Sequence, residues 1–231
     1  MTSMARVYGT AIRHEIELFA AWPIGTVMHV GDIGFLTRRG KLFERWGKLA
    51  DFGITFSSQK AQNLTDFDFQ FGKRIDIRFK AAGQAPQAGS MLTQAQAGAT
   101  IEFGRSSSVV VVAHTEEESI ANLNKLEQDL VNVAASSSKN WKNDFVVITA
   151  TYESVGTTVV LASGNGSKVG VTASAAVGVP FDLADAKIGL SASAHGQKLV
   201  KALARPGFVP FVRIHHLLKP WRGKPFLSRY N

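Results

Sequence analysis

Val169-Gly-Val171-Thr-Ala173-Ser-Ala175-Ala-Val177-Gly-Val179, followed after a break by Ile188-Gly-Leu190-Ser-Ala192-Ser-Ala194-His195, decides how this chain is read. In the first arm Val169, Val171, Ala173, Ala175, Val177 and Val179 share one face, and Gly170, Thr172, Ser174, Ala176 and Gly178 share the other. The second arm repeats the pattern, with Ile188, Leu190, Ala192 and Ala194 against Gly189, Ser191, Ser193 and His195. A period of two means strand, because successive side chains point to opposite faces. The charges sit in the connection instead, at Asp182, Asp185 and Lys187.

Two uncharged arms, each with an apolar and a small polar face, meet the requirements of a membrane-crossing hairpin. Lipid offers the backbone no hydrogen-bond partner, so strands cross it only in a closed barrel. One face must then be apolar while the other can line water. A crossing strand needs about 9–11 residues. The first arm has that length and the second is near the minimum. The plain alternative is a soluble antiparallel sheet with one face on a core. Residues as small as Gly and Ala hold an ordinary strand poorly, and suit one that must rearrange.

Composition narrows the classes. The 231 residues suit one large domain or two small ones. The chain has no cysteine, which excludes disulfides, thiol catalysis, thiolate metal sites and cysteine lipidation. The formal net charge is +8, which suits nucleic acid or anionic lipid as partner. After Asp185 there is no acidic residue, while Lys187, Lys198, Lys201, Arg205, Arg213, Lys219, Arg222, Lys224 and Arg229 alternate with Phe208, Phe211, Trp221, Phe226 and Tyr230. Cations among aromatic rings fit a membrane interface. They fit RNA by stacking and phosphate contact, and equally a solvated basic end. Residues 1–17 show no signal-peptide pattern, and no apolar run reaches transmembrane-helix length. The expectation is a chain that is cytoplasmic when inactive and meets a membrane by conversion.

Tyr8, Ile12, Ile16 and Phe19 predict a helix over residues 5–21, ended by Pro23 and Gly25. Residues 26–30 and 33–37 read as strand, and Arg38-Arg39-Gly40 as a turn into a strand over 41–46. Arg38, Arg39 and Lys41 are then either solvated or headgroup contacts. Residues 66–80 predict one long strand, with Phe67, Phe69, Phe71, Ile75, Ile77 and Phe79 in one phase and only Lys73 interrupting that face. Residues 81–96 read as a flexible connection, and 99–103 and 109–113 as strands. Thr115-x-x-Glu118 has the form of a capping box. It predicts a helix from Thr115 with a core stripe of Ile120, Leu123, Leu126, Leu130 and Val133, stopped at 134–138. Residues 144–153 form a strand, 157–162 its return, 197–203 stay undecided, and 208–218 are a closing strand before a short basic tail, 219–231.

Catalytic patterns are missing. The six histidines are scattered, and His215-His216 on a strand would point to opposite faces. Gly164-Asn-Gly166 lacks the lysine of a phosphate loop. Asp66 and Asp68 share a strand face, where a solvated pair is the simpler reading than an acid/base site. The expectation is a protein without enzymatic activity or cofactor.

The order of elements resembles the pore-forming domain of gasdermins, the bacterial members in particular. It runs from the N-terminal amphipathic helix and basic hairpin (30–46) to the long amphipathic strand (67–80) and its return (99–114). A helix, the strand Phe145-Val-Val-Ile-Thr-Ala-Thr-Tyr152 and the small-residue hairpin follow, and then Pro206-Gly-Phe-Val-Pro-Phe-Val-Arg-Ile214. The resemblance implies an α+β fold: a twisted, mostly antiparallel sheet with an N-terminal helix and one central amphipathic helix packed on it, over residues 1–218. It implies a soluble form that oligomerises in membranes as a cell-death effector, with 67–80/99–113 and 169–179/187–195 becoming barrel staves. Anionic lipid would meet Arg38, Arg39, Lys41, Lys201, Arg205 and Arg213. Gasdermins are held inactive by a C-terminal domain or by a short peptide that a protease removes. Within this chain only residues 219–231, with Trp221, Phe226 and Leu227, fit that part. The lipidated cysteine often found in bacterial members has no counterpart here. The alternative expectation is a non-enzymatic protein that uses its sheet edges to bind a protein or RNA partner, nucleic acid being the weaker fit.

Overall fold

Helix α1 (Met4–Ile16) forms because Val7, Tyr8, Ala11 and Ile12 recur twice per turn and bury together. It ends where Glu17 turns left-handed, with φ at 55°. The Arg13 guanidinium donates to the Glu17 carbonyl at 2.7 Å, placing a cation at the negative end of the helix dipole. The computed structural model describes residues 4–21, 26–37, 42–79, 99–104, 107–136, 140–162, 167–173, 190–195, 199–204, 209–220 and 223–230.

The long strand β9 (Val146–Ala162) is the spine of a ten-stranded antiparallel sheet. On one side it pairs with β8 (Ser108–Ile120) and then with β2 (Asp32–Leu36). On the other it pairs with β12 (Leu199–Ala204) and then with β13 (Phe211–Leu218). Outside β8 lie β4 (Ser58–Lys60) and β5 (Thr65–Phe71), and outside β2 lies β3 (Phe43–Lys48). Outside β13 lie β1 (Phe19–Ala20) and β14 (Phe226–Arg229). A second, four-stranded sheet has the order β11 (Leu190–His195), β10 (Ser167–Ala173), β7 (Ala99–Phe103), β6 (Ile75–Phe79). With α2 (Leu123–Ala135) the protein is α+β: a mostly antiparallel, strongly curled sheet with an N-terminal and a central helix.

Three apolar clusters hold the sheet. Under α1, Val7, Tyr8, Ala11 and Ile12 meet Val109, Val111, Val159, Leu161 and Phe211. Under α2, Leu126, Leu130 and Val133 meet Ile33, Phe52, Phe145, Val147 and Leu217. A third cluster joins Phe19, Val146, Ile148, Val212 and Ile214. Buried side chains of this size contribute roughly 1.5–3 kcal/mol each.

The structure corrects four local readings. The first helix stops at Ile16, not 21, because Phe19 and Ala20 are bridged to Val212 and Phe211 as a strand. Residues 26–29 are not strand. Thr115 does not begin a helix. It lies within β8, donates from Oγ1 to the Thr65 carbonyl at 3.0 Å, and belongs to a ladder that runs from Ser108 to Ser119 along β9. A continuous ladder outweighs a local capping pattern worth about 1 kcal/mol. The cap is Asn122, whose side chain accepts from the Lys125 amide at 2.9 Å. Ile120 still packs with Leu126 and Leu130, but from the strand, and Leu123 is 38% exposed. Finally, 146–162 is one strand with no reversal. Gly156 faces His114 and Ser154 faces Thr115, so Val155 is a bulge that bends the strand instead of ending it.

Candidate functional site

The two sequence-predicted hairpins lie side by side as one four-stranded band that spans both sheets. Its base is β5, β8, β9 and β12, and its distal half is β6, β7, β10 and β11 in the same lateral order. Register decides what such a band can do, because a slip of one residue inverts every side chain. In the distal half Ile77 is opposite Ile101, Ile101 opposite Val169, and Val169 opposite Ala194. The row beyond it is Phe79, Ala99, Val171 and Ala192, while Ala173 pairs with Leu190. Between these rows runs Arg78, Thr100, Gly170, Ser193, and on the other side Asp76, Glu102, Lys168, His195. The apolar rows of the two hairpins are therefore in phase.

The same phase continues through the base. Phe71 is opposite Val109, Val109 opposite Leu161, and Leu161 opposite Val200. Phe69, Val111, Val159 and Ala202 form the next row. On the inner ladder Ser108 faces Ala162 below the break, and Phe103 faces Ser167 above it. Four residues intervene on each strand, 104–107 and 163–166, so the register passes the break unchanged. Phe71 and Ile75 flank the break on the outer strand at an even spacing, which keeps the parity there too.

The break itself is built from unusual backbone. Gly72 has φ 121°, Arg74 60° and Ser107 66°. A left-handed φ at a non-glycine residue costs roughly 1–2 kcal/mol. Lys73, the residue that interrupts the apolar face in the sequence, lies in this break, so the predicted strand 66–80 is two strands. The Gly104 amide donates to the Arg74 carbonyl at 2.7 Å, and the Ser107 amide to Ala162 at 2.8 Å.

What covers the base is α1. Phe67, Phe69 and Phe71 pack against the cluster beneath that helix. Phe67 lies edge-on to Tyr152 at 5.5 Å and to Phe211 at 5.0 Å, and Phe71 lies 5.5 Å from His14. The polar edge opposite is tied across strands by Asp66–His114 at 2.5 Å and Lys60–Glu116 at 3.0 Å. Val169, Val171, Ala173, Leu190 and Ala192 sit in the distal ladders, and Ile75 is half-buried. Ala175, Val177 and Ile188 lie outside the described residues.

The predicted tail is a strand that clasps three elements. β14 pairs with β13, His215 facing Arg229 and Leu217 facing Leu227. The Leu227 amide donates to Glu127 of α2 at 2.8 Å, and its side chain packs on the cluster under that helix. Arg229 donates to the Glu17 carbonyl at 2.9 Å, at the end of α1. Tyr230 rests on Phe19 at 5.8 Å and on His216 at 4.7 Å. Phe226 is 44% exposed, and Trp221 lies outside the described residues.

The residues assigned to headgroups part company. Arg38, Arg39, Lys41 and Arg205 lie outside the described residues, and Lys201 is placed on β12 opposite Val160. Arg213 is engaged internally: it bonds Glu117 at 2.8 Å, donates to the Tyr152 hydroxyl and lies over the Tyr152 ring. Burial pushes Tyr152 up to about 12, with Arg213 opposing. The sequence held no signal for that Arg213–Glu117 pair, which joins positions 96 apart. It also missed an aromatic wall of Phe35, Trp46 and Phe145, with the Lys142 ammonium 5.2, 5.9 and 5.8 Å from the three ring centroids and Trp46 half-exposed. These rings come from three separate segments and obey no common period.

Among the described residues no group of three or more His, Cys, Asp or Glu side chains is placed to hold a metal, and no helix is long and apolar enough to cross a membrane. No family model and no curated protein matches the chain.

Proposed function

We propose that this chain is a pore-forming protein, converting from a soluble monomer into an oligomeric transmembrane β-barrel. The observation that carries the reading is the shared register of the two hairpins. Their apolar rows align across four strands, and the inner ladder crosses the break without a shift. Straightened at the break, each subunit would supply four amphipathic staves already in phase. Distal strands of five to seven residues are shorter than the roughly 9–11 a crossing needs. Straightening adds the residues across the break and meets that length. The barrel would close between copies, so the protein acts as a homo-oligomer on anionic lipid, in the manner of the gasdermins it resembles. Cell death is the outcome that resemblance implies. β14 has the place of a retaining peptide: it ties β13, α1 and α2 together, and cleavage between β13 and β14 would release it.

The test is a double substitution, Val171→Asp with Leu190→Asp, which puts charges on the lipid-facing rows. The expected result is unchanged folding by circular dichroism and no dye release from anionic liposomes. Full release by the double variant contradicts the reading. A stable complex with a protein or RNA, with no leakage by the wild type at any concentration, favours a binding role for the same sheet.

A further inference from the structure

We propose that β14 is an acid-released latch, with His215 as the group that senses the proton. The inference rests on the reading of β14 as the retaining strand and adds the condition that frees it.

His215 is 9% exposed in β13, directly opposite Arg229 of β14. Its Nδ1 lies 2.7 Å from Thr149 Oγ1 of β9. Two guanidinium groups flank it, Arg213 from its own strand and Arg229 from the latch, and His216 follows it. The nearby carboxylates are committed elsewhere. Glu117 of β8 takes Arg213 at 2.8 Å. Glu17, at the end of α1, lies 3.8 Å from Arg229, and Glu127 of α2 takes the Leu227 amide. The Arg229 Nε is buried and has no hydrogen-bond partner among the described residues, so this end of the latch is already short of acceptors. A proton on His215 adds a third cation to a site where, among the described residues, no acid is set aside for it. Separating β14 from β13 is the direct relief, because it removes Arg229 and admits water to the ring.

Burial first, then Arg213, Arg229 and His216, push the His215 imidazole down to about 4. With the latch off, the ring returns toward its ordinary value of about 6.5. The sign follows: the closed form prefers neutral His215. The latch is therefore at full strength above about pH 6.5 and weakens as pH falls from there toward 4, by at most tenfold per unit.

The experiment is hydrogen exchange of residues 226–230 in the intact chain between pH 7.5 and 4.5, corrected for intrinsic exchange and referenced to the β8–β9 ladder. The expected result is an opening population that rises about fivefold between pH 6.5 and 5.5. His215→Gln, which keeps a partner for Thr149, should lose most of the rise in opening between pH 7.5 and 5.5. His216, which burial also holds below its ordinary value beside Tyr230, carries the smaller share, so His216→Gln should keep most of the wild-type response. Arg229→Gln removes one flanking cation but leaves burial, the larger cause, so it should weaken the response only toward pH 4.5; where His215→Gln does not fold, His215→Asn takes its place with the same expected loss of response. Opening that is independent of pH, or equally pH-dependent in His215→Gln, overturns the latch. Acid opening without any liposome leakage leaves the latch standing and removes the pore.

Discussion

The base and the distal half of the four-stranded band share strand order and phase, yet they are built from different residues. At the base, Val109, Val111, Val159 and Leu161 are fully buried, and three phenylalanines back them under α1. In the distal half the inner rows are Ala99, Ile101, Val169 and Val171, with Thr100 and Gly170 between. One ladder thus joins a part that large buried side chains anchor to a part that, beyond the fully buried Phe103 beside the break, is built on β10 and β11 mostly from small residues. That difference suits the proposed conversion, in which the base would keep register while the far half changed its surroundings.

The sharpest way to break the comparison is to place the same charge in each half. Val111→Asp buries an unpaired carboxylate in the α1 cluster and should abolish folding or cost more than about 4 kcal/mol. Val171→Asp should shift the denaturation midpoint by less than about 1 kcal/mol equivalent. Equal effects in urea unfolding would mean the two halves are one core.

The break between the halves comes next. A Cβ at Gly72 would lie 2.5 Å from Ser108 Oγ, in a backbone with φ 121°. Gly72→Ala should destabilise the bent form by about 2–3 kcal/mol, read from the urea midpoint. If the bend is what restrains conversion, the same variant should release dye faster than the wild type under the same activating conditions.

The smallest expected effect separates strand from helix at the edge of the base. Asn122→Ala removes the α2 cap and should cost about 1 kcal/mol. Glu118→Ala, at a partly buried strand position where the carboxylate accepts from Ser58 Oγ at 2.5 Å, should cost about 0.5 kcal/mol or less by thermal unfolding. The reverse order would restore the capping box at Thr115.

Much of the band was legible in the sequence because alternation is a local signal: Phe67 to Phe79 and Val169 to Ala173 declare their faces unaided. What pairs with what was not legible, since Val169 meets Ile101 across 68 positions by register alone. Thr115-x-x-Glu118 misled because a local pattern competes with a long ladder, and the expected return over 157–162 because a bulge, here at Val155, interrupts the alternation as a turn would. The basic tail looked solvated, and only tertiary partners (Glu127, Glu17 and the β13 edge) turn Phe226–Arg229 into a strand. Arg213 read as a lipid contact because its acid, Glu117, is remote in sequence.

The central claim is that the band leaves the soluble fold and opens membranes once β14 is released. The most direct measurement is dye release from anionic liposomes by the full chain carrying a protease site between Leu218 and Phe226, before and after cleavage. Release only after cleavage is the predicted result. No release by either form would contradict pore formation, and full release before cleavage would contradict the retaining role of β14.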